Sequence, residues 1–282
     1  MIPKVSIIIA CYNDPDVVVA VRSAYNQTYS NKEIIVVDDG SNQQTQTALQ
    51  SVREYIDILI TQNNQGQSIA RNNAIKKSTG EYILNLDSDD YFEKEFCGKA
   101  VQIFLENKEV KIVTCKARRF NKSGEIDVFT PLGGDLQNFL FSNSALGSAM
   151  FKKADWKTRG GYEEKLPLLG FEDWELYLNI LKTGGVAYVL PEVLFNYQVR
   201  ENSTTAKIKD FKPDKFKHII LKHSELYKDN FEALVSNLIE RLKTEEMEKI
   251  KNTKRIDFKL GNAFLRPLRF IKSLRREKLG NT

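Results

Sequence analysis

The amino-acid sequence predicts an α/β fold in which a mostly parallel sheet is flanked by helices. Short β-branched runs alternate with segments of helical periodicity in the first part of the chain, and polar residues follow most of the predicted strands. The longest apolar runs, such as Ile7–Cys11 and Ile34–Val37, are far shorter than a transmembrane helix requires. This alternation indicates a parallel sheet that is covered by helices on both faces.

The first part of the chain reads, in order, as strand, helix and strand. Val5–Cys11 is a β-branched run, Val17–Gln27 has apolar residues at helical spacing, and Glu33–Val37 is apolar again. The alternation continues with a helix at Thr45–Tyr55, a strand at Asp57–Thr61, a helix at Ser68–Ser78 and a strand at Glu81–Leu86. Ligands bind at the carboxyl ends of the strands in open α/β sheets, so the polar residues there are candidate site residues.

The pattern becomes less regular after Asp90. The predicted elements are a helix at Lys94–Asn107, a strand at Lys111–Arg118, a helix at Glu172–Lys182 and strands at Ala187–Leu190 and Val193–Val199. A boundary is predicted near residue 205, after the polar stretch Asn202–Thr205. Residues 1–205 then form one domain, and residues 206–282 form a helical extension.

Composition and cysteine content exclude several classes of protein. The 282 residues are 41% hydrophobic and 28% charged, as is usual for a globular protein, and the three cysteines are too few and too widely spaced for a disulfide framework. Only two histidines are available, so a structural zinc site cannot be assembled, and any metal would have oxygen ligands. The absence of a secretory pattern after Met1 predicts a cytoplasmic protein.

The net charge of +5 is unevenly distributed. Residues 251–282 carry ten Lys or Arg against Asp257 and Glu277, a balance of +8, so residues 1–250 have a balance of −3. Within the tail, Leu260, Phe264 and Leu268 recur at a spacing of four, with basic residues on other faces. This pattern predicts an amphipathic helix that binds an anionic membrane surface peripherally. The alternative is a helix that packs on the protein itself, and no nucleic-acid module is recognisable.

Two carboxylates follow the fourth predicted strand, at Asp87 and Asp89. Clustered carboxylates repel each other unless a cation lies between them, and oxygen ligands suit Mg²⁺ or Mn²⁺ bound together with substrate phosphates. The motif therefore indicates a metal site for a diphosphate substrate, with a solvated acidic loop as the alternative.

Asp38 and Asp39 follow the second predicted strand. Acidic side chains at this position can accept hydrogen bonds from ribose hydroxyls or from a nucleobase N–H, although the Asp-Gly sequence is also compatible with a plain turn. Tyr12, at the end of the first strand, can stack on a base or pack against the sheet.

Glu172 and Asp173 begin an amphipathic helix. Acids in the first turn commonly favour the helix dipole and satisfy free N–H groups, which is the structural interpretation. The same position stabilises an ionised carboxylate, and such a group can act as a general base toward a hydroxyl.

Five segments, in order along the first ninety residues, resemble the family 2 glycosyltransferases of GT-A fold. Each segment is short, but the ordered set is specific to that family. The matching segments are Val5–Asn13, Ser23–Tyr29, Glu33–Ser41, Asn64–Gly66 with Ala70–Asn72, and Gly80–Ile83 followed by Leu86–Asp90.

The resemblance implies a GT-A domain with a Rossmann-like sheet over residues 3–205. Residues 1–110 would bind the nucleotide sugar and residues 111–205 would form the acceptor half. The activity implied is transfer of a sugar, with inversion, from a nucleotide-diphosphate donor, most commonly UDP-linked, to an acceptor hydroxyl. Surface-polysaccharide or lipid-linked oligosaccharide assembly is the implied context.

The resemblance also implies a role for each matching residue. Asp39 and Tyr12 would contact the nucleoside, Arg71 would order the diphosphate side, and Asp87 and Asp89 would hold Mn²⁺ or Mg²⁺. The base would be Asp173, with Glu172 as its supporting neighbour.

One position departs from the family pattern. Arg200 stands where the family often has a histidine, and a guanidinium cannot ligate a metal, although it can pair with a diphosphate. Two other functions remain open on the sequence: a nucleotidyltransferase, and a sugar-nucleotide-binding protein without catalysis.

Overall fold

The computed structural model describes residues 2–165, 170–200, 212–256 and 258–265. The chain divides into two compact units, Met1–Lys222 and His223–Thr282. The boundary predicted near residue 205 lies outside the described residues, so the division at that position stays a prediction.

The first unit contains one mixed sheet of nine strands. Its order is β3-β2-β1-β4-β8-β6-β9-β5, and β7 pairs with β6. The strands are β1 (Val5–Cys11), β2 (Lys32–Asp38), β3 (Ile58–Thr61), β4 (Tyr82–Asp87), β5 (Tyr91–Phe92), β6 (Val110–Asn121), β7 (Gly124–Phe129), β8 (Met150–Lys152) and β9 (Val186–Gln198). Strands β1 to β4 are mutually parallel, as predicted, whereas β8 joins β4 and β6 in antiparallel orientation.

Helices cover the sheet of the first unit and make up the described part of the second. Those of the first unit are α1 (Val17–Tyr25), α2 (Gln43–Ser51), α3 (Gln67–Lys77), α4 (Phe96–Glu106), α5 (Leu136–Phe139), α6 (Lys153–Thr158), α7 (Glu172–Leu181) and α8 (Lys212–Lys222). Those of the second unit are α9 (Ser224–Asp229) and α10 (Phe231–Lys254), and residues 258–265 are also helical.

The core lies on both faces of the parallel strands. Ile7, Ile8 and Ile9 are all fully buried, which means that β1 has no solvent-exposed face. Burial of one such side chain contributes about 1.5–3 kcal/mol to the free energy of unfolding. Helix α1 buries Val17 and Val21, one turn apart, against the same core.

The register of the parallel strands aligns the polar strand ends. Strand β1 lies between β2 and β4, with Cys11 opposite Asp38 and Ala10 opposite Asp87. The carboxyl ends of three strands therefore meet at one edge of the sheet, and the loops that follow them carry candidate site residues.

Two predicted elements differ from the sequence interpretation. The helix predicted over Thr45–Tyr55 ends at Ser51 and is followed by a separate 3-10 turn. The two strands predicted on either side of Pro191 are one strand, β9, whose pairing with β6 changes register between Leu190 and Val193. The register change accommodates the proline, since proline cannot donate to the ladder.

In the part of the chain that the structure describes, no helix has the length and hydrophobicity needed to cross a bilayer. Helix α10 has no buried residue, and Leu260 and Phe264 in the following helical segment are also exposed.

Candidate active site

Asp39 and Asp38 shape the loops at the end of β2. The Asp39 carboxylate is 3% exposed and accepts hydrogen bonds from the backbone N–H groups of Gln65 and Gly66, both at 2.9 Å. Asp38 Oδ1 accepts from the backbone N–H of Ser41 at 2.9 Å. The Asp39 bonds hold the loop before α3 against the end of β2, and the Asp38 bond orders the loop that follows β2. Both acids therefore have a structural role in addition to any contact with a nucleoside.

The loop after β2 and the loop before α3 can approach each other because residue 40 is a glycine. Its φ is +77°, and a Cβ atom there would lie 2.8 Å from the backbone nitrogen of Asn64. Glycine at this position thus has a conformational reason, which is compatible with a binding role for Asp39.

Tyr12 is 53% exposed at the end of β1. An aromatic ring that packs against a sheet would be largely covered, so the exposure favours stacking on a planar ligand. The adjacent Asn13 has a φ of +52°, a conformation that Asn tolerates, and its side chain accepts from the Asn42 N–H at 2.7 Å.

Arg71 connects the metal motif with the candidate base. Its side chain is 2% exposed, and the guanidinium donates from Nη2 to Asp87 Oδ1 at 2.5 Å and from Nη1 to Glu172 Oε1 at 3.0 Å. Burial alone would lower the pKa of Arg71, but the surrounding groups, Asp87 foremost, outweigh burial and raise it. The enclosed guanidinium contacts Asp87 of the metal motif, and the predicted part of Arg71 in ordering the diphosphate side stays a prediction.

Arg200 pairs with three acids, one of which, Asp89, belongs to the metal motif. Its guanidinium lies 3.1 Å from Asp14, 2.9 Å from Asp16 and 3.5 Å from Asp89. Burial and the charge of Asp87 raise the pKa of Asp89 to about 6, and Arg200 partly opposes this shift.

Asp87 and Asp89 supply oxygen ligands of the kind that a divalent cation needs. Among the described residues, no three His, Cys, Asp or Glu side chains are grouped as a ready-made metal cage. Burial is the main cause of the raised pKa of Asp89, and the charges of Asp87 and Asp14 add to it, so a divalent cation beside these carboxylates would favour their ionised form. One or two carboxylates together with substrate phosphates are a common way to bind Mg²⁺.

The candidate base, Asp173, lies partly buried at the start of α7. Oδ1 accepts from the backbone N–H of Trp174 at 2.8 Å, and Oδ2 accepts from Asn143 Nδ2 at 2.9 Å. Burial and the neighbouring Glu172 raise the pKa of Asp173 to about 7, although Arg71 opposes the shift. This pKa is suited to proton transfer near neutral pH.

Glu172 supports this arrangement from the preceding position. Its Oε1 accepts from Arg71, and its Oε2 accepts from the backbone N–H of Gly170 at 2.7 Å. The N-cap residue Phe171 makes no side-chain capping bond, and Asp173 instead accepts from the first-turn N–H of Trp174. The acids at the start of α7 therefore satisfy a free N–H group, as the structural interpretation expects, and this is compatible with a role for Asp173 as base.

Three side chains at the site were not found from the sequence. Asp14 is 7% exposed and accepts from Ser88 Oγ at 2.7 Å, and its position directly after β1 is a signal that could have identified it. Gln62 donates to Asp39 at 2.7 Å. Asn143 belongs to no recognisable motif, and only the tertiary structure brings it to Asp173.

Residues 6–152 match the family model described as glycosyl transferase family 2. The chain belongs to this family. It is 32% identical over 227 residues to the Escherichia coli protein UDP-Glc:alpha-D-GlcNAc-diphosphoundecaprenol beta-1,3-glucosyltransferase WfaP, an alignment that covers 77% of this chain and 82% of that one. It is 27% identical over 228 residues to the Escherichia coli chondroitin synthase, covering 76% of this chain and 31% of that longer protein.

Solved structures show the fold of this family 2 glycosyltransferase. TarS from S. aureus, in complex with UDP-GlcNAc, superposes with a TM-score of 0.63 at 22% identity, over 77% of this chain and 64% of that one. The mannosyltransferase PcManGT from Pyrobaculum calidifontis, in complex with GDP-Man and Mn²⁺, gives a TM-score of 0.56 at 18% identity, over 93% and 84% of the two chains. The aligned region covers less than two thirds of the TarS chain. The similarity to these structures confirms the predicted GT-A fold.

Membership of the family also confirms the predicted class of function. A glycosyltransferase accounts for the ordered motifs of the first half, so the nucleotidyltransferase alternative is no longer needed. The roles of the individual site residues stay predictions.

Proposed function

We propose that this glycosyltransferase moves a sugar, with inversion, from a nucleoside-diphosphate donor to an acceptor hydroxyl, and that Asp173 is the base. The observation that carries the proposal is the buried Arg71, which joins Asp87 to Glu172. Through it the donor side and the base side of the site are held in one rigid unit. Near-attack geometry requires such rigidity, because small displacements of reacting groups are costly.

Asp173 has the chemistry of a general base. Its pKa of about 7 leaves a substantial ionised fraction at neutral pH while retaining affinity for a proton. An inverting reaction needs one carboxylate to accept the proton of the attacking hydroxyl, and no covalent sugar intermediate is required. A positioned base contributes roughly 10²–10⁴-fold in rate.

Asp89 and Asp87 would hold Mn²⁺ or Mg²⁺ together with the donor diphosphate. The ion would supply charge neutralisation for the departing diphosphate without proton transfer. Arg200, 3.5 Å from Asp89, would add a second cationic group facing the same phosphates. The Mn²⁺ complex of the mannosyltransferase PcManGT supports this part of the proposal.

The donor that we propose is a UDP-sugar, and the acceptor is a carbohydrate or a lipid-linked saccharide. TarS is known in complexes with UDP and UDP-GlcNAc, and the WfaP name specifies a UDP-linked donor and a diphosphoundecaprenol acceptor. In this chain, Tyr12 would stack on the base, and Asp39 and Asp38 would accept hydrogen bonds from the nucleoside.

The helical tail would place the enzyme peripherally on the cytoplasmic face of the membrane, where a lipid-linked acceptor is presented. Phe264 is 79% exposed and Leu260 54% exposed on a helical segment that lies in the basic part of the chain. Buried apolar area and attraction to anionic lipids would act together there. The part of the tail beyond residue 265 lies outside the described residues.

The test compares Asp173→Asn with wild type in two assays. Isothermal titration with UDP measures donor-side binding, and release of the nucleoside diphosphate in the presence of acceptor measures transfer. We expect Asp173→Asn to bind UDP like wild type and to lose about 10²-fold or more in transfer. The exposed Asp229→Asn is the matched control. Normal transfer by Asp173→Asn would remove this residue from the mechanism, and absence of transfer by the wild type with every donor would favour the non-catalytic alternative.

A further inference from the structure

Residues 143–148, in the connection between α5 and β8, contact the elements that carry the candidate base and the metal motif. The carbonyl oxygen of Gly147 accepts from Tyr177 OH at 2.9 Å and from Asn85 Nδ2 at 3.3 Å. Ser148 Oγ accepts from the backbone N–H of Asp87 at 3.2 Å. The segment is therefore anchored to α7 and to β4, the two elements that carry the candidate base and the metal motif.

The side-chain amide of Asn143 has a fixed orientation in this segment. Its Oδ1 accepts from the backbone N–H of Ala145 at 3.1 Å, two residues further along the chain. This Asx turn directs the other end of the amide, Nδ2, toward Asp173 Oδ2 at 2.9 Å. The donor that faces the carboxylate is thus determined by a backbone contact.

The same carboxylate oxygen is confined on its other side by Gly147. A Cβ atom at Gly147 would lie 2.8 Å from Asp173 Oδ2. With Oδ1 held by the N–H of Trp174, the carboxylate has a donor on each oxygen, and its otherwise broad terminal torsion is restricted. A carboxylate held in this way presents its remaining lone pairs in a defined direction.

The charges that face Asp173 come from several elements. On α7, Glu172 opposes ionisation and Tyr177 lies close by; on α3, Arg71 favours ionisation; on β4, Asp87 opposes it. Tyr162, in the segment after α6, also interacts with Asp173. Two acids in this set disfavour the ionised form of Asp173, and one cation favours it. A neutral hydrogen-bond donor in direct contact with the carboxylate therefore stabilises the ionised form and lowers the pKa of Asp173.

We propose that Asn143 is a positioning residue that holds the Asp173 carboxylate in the orientation and charge state needed to accept the proton of the acceptor hydroxyl. This inference rests on the proposed function, in which Asp173 is the base. The amide of Asn143 contacts the Asp173 carboxylate directly, so we expect it to act through Asp173.

The experiment measures kcat/KM against pH for Asn143→Ala and Asn143→Asp. The first removes the donor; the second has the same shape and keeps an oxygen for the Ala145 N–H, but replaces the donor with an acceptor. We expect the acidic limb of the profile to move upward by about one pH unit in Asn143→Ala and further in Asn143→Asp, because hydrogen bonds to charged groups are strong. We also expect kcat to fall about tenfold or more, with UDP affinity unchanged.

Ser142→Ala, at the exposed neighbouring position, is the matched control and should leave the profile unchanged. If both Asn143 variants have the same pH profile of kcat/KM as wild type while Asp173→Asn is inactive, the inference is wrong and the proposed function is retained. An active Asp173→Asn would instead contradict the proposed function. If Asn143→Ala does not fold, as judged by thermal unfolding, Asn143→Asp carries the test. Loss of UDP binding in a folded variant would assign Asn143 a merely structural role and overturn the inference.

Discussion

The guanidinium of Arg71 donates a 3.0 Å hydrogen bond to Glu172, although the two residues are 101 positions apart in the chain. The same guanidinium is bonded to Asp87, so one buried cation neutralises carboxylates on a strand and on a helix. Removal of the cation would leave the buried Glu172 carboxylate, and the partly exposed Asp87, without a compensating charge, so we expect Arg71 to contribute to stability.

We expect Arg71→Met to lower the free energy of unfolding by about 3–5 kcal/mol, because loss of one partner from a buried pair leaves uncompensated charge. Urea unfolding followed by circular dichroism measures the change. The matched control is Arg119→Met, which breaks an exposed pair with Asp127 and should change stability little. Equal stability of Arg71→Met and wild type would show that the two carboxylates are neutralised in another way.

The raised pKa of Asp173 predicts a pH dependence of stability. The folded state binds this proton more tightly than the unfolded state, whose carboxyl has its ordinary pKa near 3.8. The resulting contribution to stability is fully present below pH 4 and is lost as the pH rises from about 4 to about 7. Asp173→Asn cannot lose a proton, so its stability relative to wild type should be greater at pH 8 than at pH 5.

Urea unfolding at the two pH values, on wild type, Asp173→Asn and the exposed Asp229→Asn, isolates the contribution of this one group. A relative stability of Asp173→Asn that is independent of pH would mean that the Asp173 carboxyl is ionised throughout this range.

Chelation tests the proposed metal site. We expect EDTA to abolish transfer and Mn²⁺ or Mg²⁺ to restore it, since Asp87 and Asp89 would bind the ion together with the diphosphate. Asp89→Asn should lose most of its activity while it remains folded, because an amide oxygen is a weaker ligand than a carboxylate. Full activity in chelator, or wild-type activity of Asp89→Asn, would contradict metal dependence.

Two exposed phenylalanines test the membrane proposal in the full chain. Phe264→Ser alters the helical segment of the basic tail, and Phe231→Ser alters the start of α10. We expect Phe264→Ser to weaken co-sedimentation with vesicles that contain phosphatidylglycerol, because apolar burial and electrostatic attraction act together in interfacial helices. Phe231→Ser should bind like wild type. Failure of the wild type to bind anionic vesicles at low salt, or equal binding by both variants and wild type, would contradict a membrane role for this segment.

Local patterns in the sequence were sufficient for the parallel part of the fold and for placing several candidate site residues at the ends of its strands. The β-branched runs of β1 and β2 and the apolar spacing of α1 depend on neighbouring residues alone, and the acids at Asp39, Asp87 and Asp89 follow strands that this pattern identifies. Parallel strands must end at a common edge, so the sequence also determined that these acids lie near one another.

Only the tertiary structure decided which of these residues are in contact and how they are charged. The bond between Arg71 and Glu172 and the bond between Asn143 and Asp173 join segments that are distant along the chain, so no local periodicity indicates them. The pKa of Asp173 likewise depends on burial and on charges contributed by α3, β4 and its own helix. Electrostatic interactions act through space and strengthen as water is excluded, and for this reason they are determined only when the chain has folded.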